Sequence, residues 1–239
     1  AAFSRLTRMT KHAAAELIWN AFCSRFSIAQ KAVPLFATQP DGTVSLKTVG
    51  KAVQRPLLMR SPDMEAMVRT EVAKLVADHE AGTHRLDGLI YMMGTKQGNT
   101  FVPLYIGKTE TLGKGDGNLS ANIQHLDSDT SKFARWGDNY AYHIGDLSAC
   151  VLQGHAASRL VPKYQAWAQS LFTASPTQTP LQRQPVYFWA KAWDSSWVGV
   201  WQELGATRLA FLEYLLIGVA SMVSPQLLNR EGLGRRVGE

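Results

Sequence analysis

Two short segments, Gly88-Leu89-Ile90-Tyr91 and Leu104-Tyr105-Ile106-Gly107-Lys108-Thr109, constrain the fold more than any other part of the chain. Apolar and β-branched residues dominate both, and the stretch between them holds the turn formers Gly94, Lys96, Gln97, Gly98 and Asn99. This pattern predicts a hairpin over residues 86–110 that brings Tyr91 and Tyr105 close together on one sheet. Residues 140–152 and 185–194 read as further strands, the second because Val186, Tyr187, Phe188 and Trp189 follow one another. Leu209 to Val223 reads as an apolar helix interrupted by a single acid, Glu213.

A chain of 239 residues is long enough to bury a sizeable core, and a hydrophobic content of 46% with 18% charged residues describes a folded protein. The formal net charge of +6 suits a polyanionic partner but does not by itself select one. Cys23 and Cys150 are too few for a disulfide framework and lack metal-ligand spacing, so a reducing, cytoplasmic setting is expected. Residues 13–18 are too short, and broken by Glu16, for a signal-peptide core. Residues 209–223 fall short of the roughly 20 apolar residues a spanning helix needs, so no membrane partner is expected.

Residues 1–82 read as a mainly helical N-terminal region. Leu17, Ile18, Phe22, Phe26 and Ile28 recur at helical spacing over residues 10–30. Ser61-Pro62-Asp63 starts a second helix, with Met64, Met67, Val68, Val72, Leu75 and Val76 as its apolar stripe and Ala81-Gly82 as its end. Val44-Ser45-Leu46 reads as a short strand between them. This region holds 11 of the 25 Lys and Arg against 7 of the 19 Asp and Glu, which suits a DNA grip or a subunit contact. Residues 83–239 form the second region, with an insertion at about 127–185. Leu119 to Leu126 and residues 158–172 read as helices, and the tail after Asn229 as frayed. Phe188, Trp189, Trp193, Trp197 and Trp201 read as core rather than as a base-stacking surface. Gly107-Lys108-Thr109 is not a phosphate loop, because Val102 stands where the first glycine would be needed.

Gly88-Leu89-Ile90-Tyr91, with one inserted residue, and an intact Tyr105-Ile106-Gly107 resemble the two strand motifs of the GIY-YIG nuclease family. Glu213 on an apolar helix, followed by Pro225 and Asn229, is similar to that family's metal-binding glutamate and its downstream proline and asparagine. The resemblance covers about residues 86–230. It implies a small α/β core, a central three-stranded antiparallel sheet flanked by helices. It departs from the family on the helix after the second motif, where Asn122 stands near the expected arginine. Arg135 is the candidate replacement, against stacking on Trp136 or pairing with Asp138.

The resemblance implies a divalent-metal-dependent DNA endonuclease, with defence against foreign DNA, such as restriction, as its leading setting. The expected catalytic set is Tyr91, Tyr105, Lys108, His125, Arg135 and Glu213. Tyr91 would activate water, and an unperturbed phenol near pKa 10 needs a neighbouring cation for that task. Glu213 would hold Mg2+ or Mn2+, its competing role being a salt bridge to Arg208 or Lys108. Lys108, Arg135 and Asn229 would bind substrate, expected to be double-stranded DNA. His125 would position water or phosphate, or else be merely a capped helix residue, while His143 reads as structural. A homodimer or partner subunit would engage the N-terminal region. The rival reading is a catalytically impaired nucleic-acid-binding or interaction protein on the same scaffold.

Overall fold

The computed structural model describes residues 10–50, 54–115 and 117–230. Arg5, Arg8 and the tail from residue 231 lie outside the described residues. Elements in chain order are α1 (Lys11–Arg25), α2 (Ile28–Lys31), β1 (Val33–Pro34), β2 (Leu46–Val49), β3 (Arg55–Leu58) and α3 (Pro62–Glu80). The hairpin strands β4 (Leu86–Gln97) and β5 (Thr100–Glu110) follow, then α4 (His143–Val151), α5 (Pro162–Leu171), β6 (Tyr187–Asp194) and α6 (Leu209–Val223). Local chemistry sets the helix starts. Thr10 caps α1 by accepting from the Ala13 amide, and Ser61 caps α3 by accepting from Met64, with Pro62 in the first turn.

The main sheet is antiparallel in the order β1-β6-β4-β5. The sheet thus has four strands where three were expected: beside the three long ones, the two-residue β1 pairs Val33 and Pro34 with Phe188 and Tyr187. The expected strand at residues 44–46 is displaced to β2, which pairs with β3 in a separate two-stranded ribbon. Strand β4 is buried on both faces, which explains its nearly unbroken apolar run. Leu89, Tyr91 and Met93 face a core shared with α3, α4 and α5. Ile90 and Met92 face one shared with α1 and α6. Phe188, Trp189 and Trp193 are buried in these cores, as read from the sequence.

Two expected elements are corrected. Within residues 140–152, His143–Val151 form helix α4 where a strand was expected. All nine of its residues are buried, so no polar face is left to reveal a helical period. Residues 119–126 form turns rather than a helix, and His125 has a left-handed φ of 60°.

Residue 82 marks the end of α3 but does not separate two cores. Helix α3 packs on β4 and β6, α1 packs on α6, and β1 joins the sheet. Among the described residues no helix is long and apolar enough to cross a membrane.

Candidate active site

Tyr91 stands opposite Gly107 in the β4–β5 register. A Cβ at Gly107 would lie 2.7 Å from three atoms of the Tyr91 side chain, so the glycine is needed for space. The ring lies where a side chain from β5 would otherwise project. Gly107→Ala should therefore cost about 1–3 kcal/mol, the usual range for overpacking, measured by urea denaturation. A variant as stable as the wild type would mean that the ring can move aside.

Register shifts between Met93 and Gly94, leaving Leu104 as an extra residue in β5. Such a bulge re-aims the side chains beyond it. Tyr105 lies on the Gly107 side of that bulge and two residues from Gly107, so strand alternation puts it opposite Met93 on the Tyr91 face, with the two tyrosine rings 6.4 Å apart.

Behind this face a chain of buried polar groups runs through His143, the first residue of α4. Its Nε2 lies 3.1 Å from the Tyr91 hydroxyl and its Nδ1 2.7 Å from the Tyr164 hydroxyl. Trp136 and Trp167 flank the imidazole at 4.8 and 5.2 Å between centroids. Burial holds the His143 pKa well below its usual value, and Lys163 and Arg135 push it the same way. A neutral imidazole donates from one nitrogen and accepts at the other, so the two tyrosines play opposite roles toward it. Burial also raises the Tyr91 pKa well above that of a free phenol.

Tyr105 faces outward instead. It lines a cleft of about 270 Å³ at the outer edge of β5, together with Lys163 from α5, Glu213 and Tyr214 from α6, and Asn229 and Arg230. Lys163 Nζ donates to the Tyr105 hydroxyl at 3.2 Å and lies over the rings of Tyr105, Tyr164 and Trp167 at 4.7–5.3 Å. Burial lowers its pKa from 10.5 to about 8, with Arg135 and Arg230 adding repulsion and Asp146 and Glu213 opposing it.

The expected residues divide between this cleft and other places. Glu213 lines it, half-buried, while its two suggested partners are engaged elsewhere: Arg208 with Asp87 at 2.9 Å and Lys108 with Glu110 at 2.5 Å. Asn229 lines it too, but its amide serves the sheet edge. Its Oδ1 accepts from the Ile106 N–H at 3.0 Å, and its Nδ2 donates to the Ile106 carbonyl at 2.8 Å. This pairing closes an edge that would otherwise be open to another strand. Lys108 stands opposite Ile90 and so lies on the sheet face away from Tyr91. His125 is exposed in its turn.

Arg135 ends a short 3-10 turn, Phe133–Arg135, with its guanidinium 5.5 Å from the Tyr142 ring rather than on Trp136 or Asp138. Its charge acts on Tyr91, His143, Lys163 and Tyr164, so it contributes positive potential behind the cleft.

Sequence reasoning missed Lys163, Arg230 and the His143–Tyr164 chain. A signal for the first existed: Lys163, Tyr164 and Trp167 fall on adjoining positions of one helical turn, in a segment set aside as an insertion. Among the described residues no group of three or more His, Cys, Asp or Glu side chains is placed to hold a metal. Glu213 is the carboxylate that lines the cleft. One oxygen ligand fits a magnesium ion only if water and substrate phosphate complete its shell, which is how this ion is commonly bound. No protein-family model, no curated protein and no solved structure matches this chain.

Proposed function

We propose that the chain is a divalent-metal-dependent nuclease that hydrolyses phosphodiester bonds in DNA. The observation that carries this reading is the convergence of a tyrosine hydroxyl, a lysine ammonium and a carboxylate, from Tyr105, Lys163 and Glu213, on one cleft. It lies beside the two strand segments that resemble the GIY-YIG motifs. Lys163 and Arg230 give the scissile phosphate a cationic seat. Glu213 would hold the divalent ion, which when bound supplies Lewis-acid stabilisation of the leaving oxygen.

The base role passes from Tyr91 to Tyr105 on physical grounds. Tyr91 is buried against His143 and its proton is hard to remove, whereas Tyr105 reaches the cleft. To act as the base Tyr105 must be a phenolate, which takes the proton from water and becomes the neutral phenol, and the Lys163 ammonium at 3.2 Å is the cation that pairs with that phenolate. Tyr91 and His143 support Tyr105 from behind, and Arg135 adds positive potential. A setting in restriction or defence rests on the family resemblance alone.

Incubation of supercoiled plasmid with the protein, with magnesium or with EDTA, tests the activity. Cleavage that requires the metal supports it. Binding without cleavage in magnesium or manganese would instead favour the impaired binding protein. The two tyrosines are separated by single-atom changes. Tyr105→Phe should lower the rate by at least about 10²-fold, the lower end of general-base contributions, with stability retained. Tyr91→Phe should keep most of the rate but cost about 1–3 kcal/mol of stability, because it strands His143 Nε2 in the core. The reverse pattern would return the base role to Tyr91.

A further inference from the structure

Two aromatic side chains break the rule that this protein buries its rings. Among the described residues Phe211 and Tyr214 are the aromatics exposed by more than half, at 51% and 58%. They stand three residues apart on α6 and are therefore neighbours on one surface of the helix. Tyr214 also lines the cleft that holds Lys163, Glu213 and Arg230. Exposed rings gain nothing from the core, and Tyr214, next to Phe211 on the helix surface, shares its cleft with two cations suited to a phosphate.

Resting on the nuclease reading of this cleft, we infer that its substrate is an unpaired DNA segment, whose phosphate sits at Lys163 and Arg230 while its bases stack on Tyr214 and Phe211. Charge complementarity selects the occupant: a ring beside a cationic cleft matches a base beside its own phosphate. An apolar protein segment would match the rings but not the cations. A continuous duplex, the substrate first expected, keeps its base faces stacked on one another and offers only its backbone to such a cleft. A single strand, a flap or a frayed end offers both parts at once. Stacking of this kind is tolerant of sequence, because every base has a π face.

Fluorescence anisotropy on the full chain in EDTA, at low salt, separates binding from chemistry. The probes are a labelled twelve-nucleotide oligothymidine and a blunt duplex of the same length. The oligothymidine should bind more tightly than the duplex. Phe211→Ala and Tyr214→Ala should each weaken its binding by about 5- to 100-fold while leaving duplex binding nearly unchanged. Tyr214→Trp, which keeps a stacking face, should retain the affinity. Both positions are exposed, so circular dichroism should show an unchanged fold.

Preference for the duplex would overturn the inference, as would wild-type oligothymidine affinity in the double alanine variant. A dimer that becomes monomeric in that variant, with DNA affinity unchanged, would reassign the rings to a self-contact. If the protein with magnesium cleaves neither plasmid nor the oligothymidine while the aromatic dependence holds, the catalytic reading falls and the binding inference stands. If Glu213→Gln abolishes cleavage while the aromatic variants bind normally, the reverse is true.

Discussion

Replacing Glu213 with Gln should lower magnesium-dependent cleavage by at least about 10²- to 10³-fold, the scale of losing a major electrostatic contact to the transition state. The substitution keeps the size and hydrogen-bonding reach of the side chain and removes only its charge. Leu212, Leu216 and Ile217, buried on the same helix, hold α6 in place. Stability should therefore change by no more than about 0.5 kcal/mol, as for most substitutions outside the core. One side effect must be separated. Glu213 helps to keep Lys163 protonated, so its removal lets the lysine pKa drop below about 8 and weakens the cationic seat near neutral pH. At pH 6.5 the lysine remains charged in both proteins. A loss that persists there belongs to the metal; one that disappears there means that Glu213 acts only through Lys163. Wild-type cleavage by the folded variant at either pH would refute the metal role.

The hairpin and the tyrosine pair were legible because strand composition and a turn-rich interval are local properties, written in consecutive residues. Strand parity also held more than was drawn from it. If Gly107 lies across from Tyr91, then Lys108, the next residue, must point to the other face, as its pairing opposite Ile90 shows. Helix α4 was illegible for the opposite reason, since a helix buried on all sides has no polar stripe. Lys163 reaches Tyr105 across 58 residues, and β1 reaches β6 across about 150. Neither contact leaves a trace in local periodicity. Asn229 was singled out for substrate, yet its position against the β5 edge depends on where the chain turns after α6. The packing of α3 was illegible as well, because an amphipathic stripe says that a helix is covered, not by what. Helix α3 carries such a stripe, and β4 and β6 cover it.

Lys163→Met should make a protein that is at once more stable and nearly inactive. Cleavage should fall by about 10²- to 10³-fold, because the ammonium proposed to seat phosphate, which donates to the Tyr105 oxygen, is gone. Stability should rise near pH 7. In the folded chain burial and the repulsion of Arg135 and Arg230 hold the lysine pKa at about 8, against 10.5 when exposed. Below pH 8 the folded state must carry a cation that its surroundings disfavour, and this cost is fully present. As the pH rises from 8 to 10.5 the unfolded chain binds more protons at this site than the folded one, so wild-type stability recovers. Methionine avoids the charge and packs its flexible thioether against Tyr105, Tyr164 and Trp167. The lysine is partly open to solvent, so the full shift overstates the effect. After screening, the variant should be about 1–2 kcal/mol more stable at pH 7. Urea denaturation of both proteins at pH 7, 9 and 10.5 checks the sign, since the gap should be largest at pH 7 and nearly closed at 10.5. A variant less stable than wild type at pH 7 would mean that the cation–π contacts outweigh the burial of the charge. A gap independent of pH would mean that packing, not charge, sets the difference.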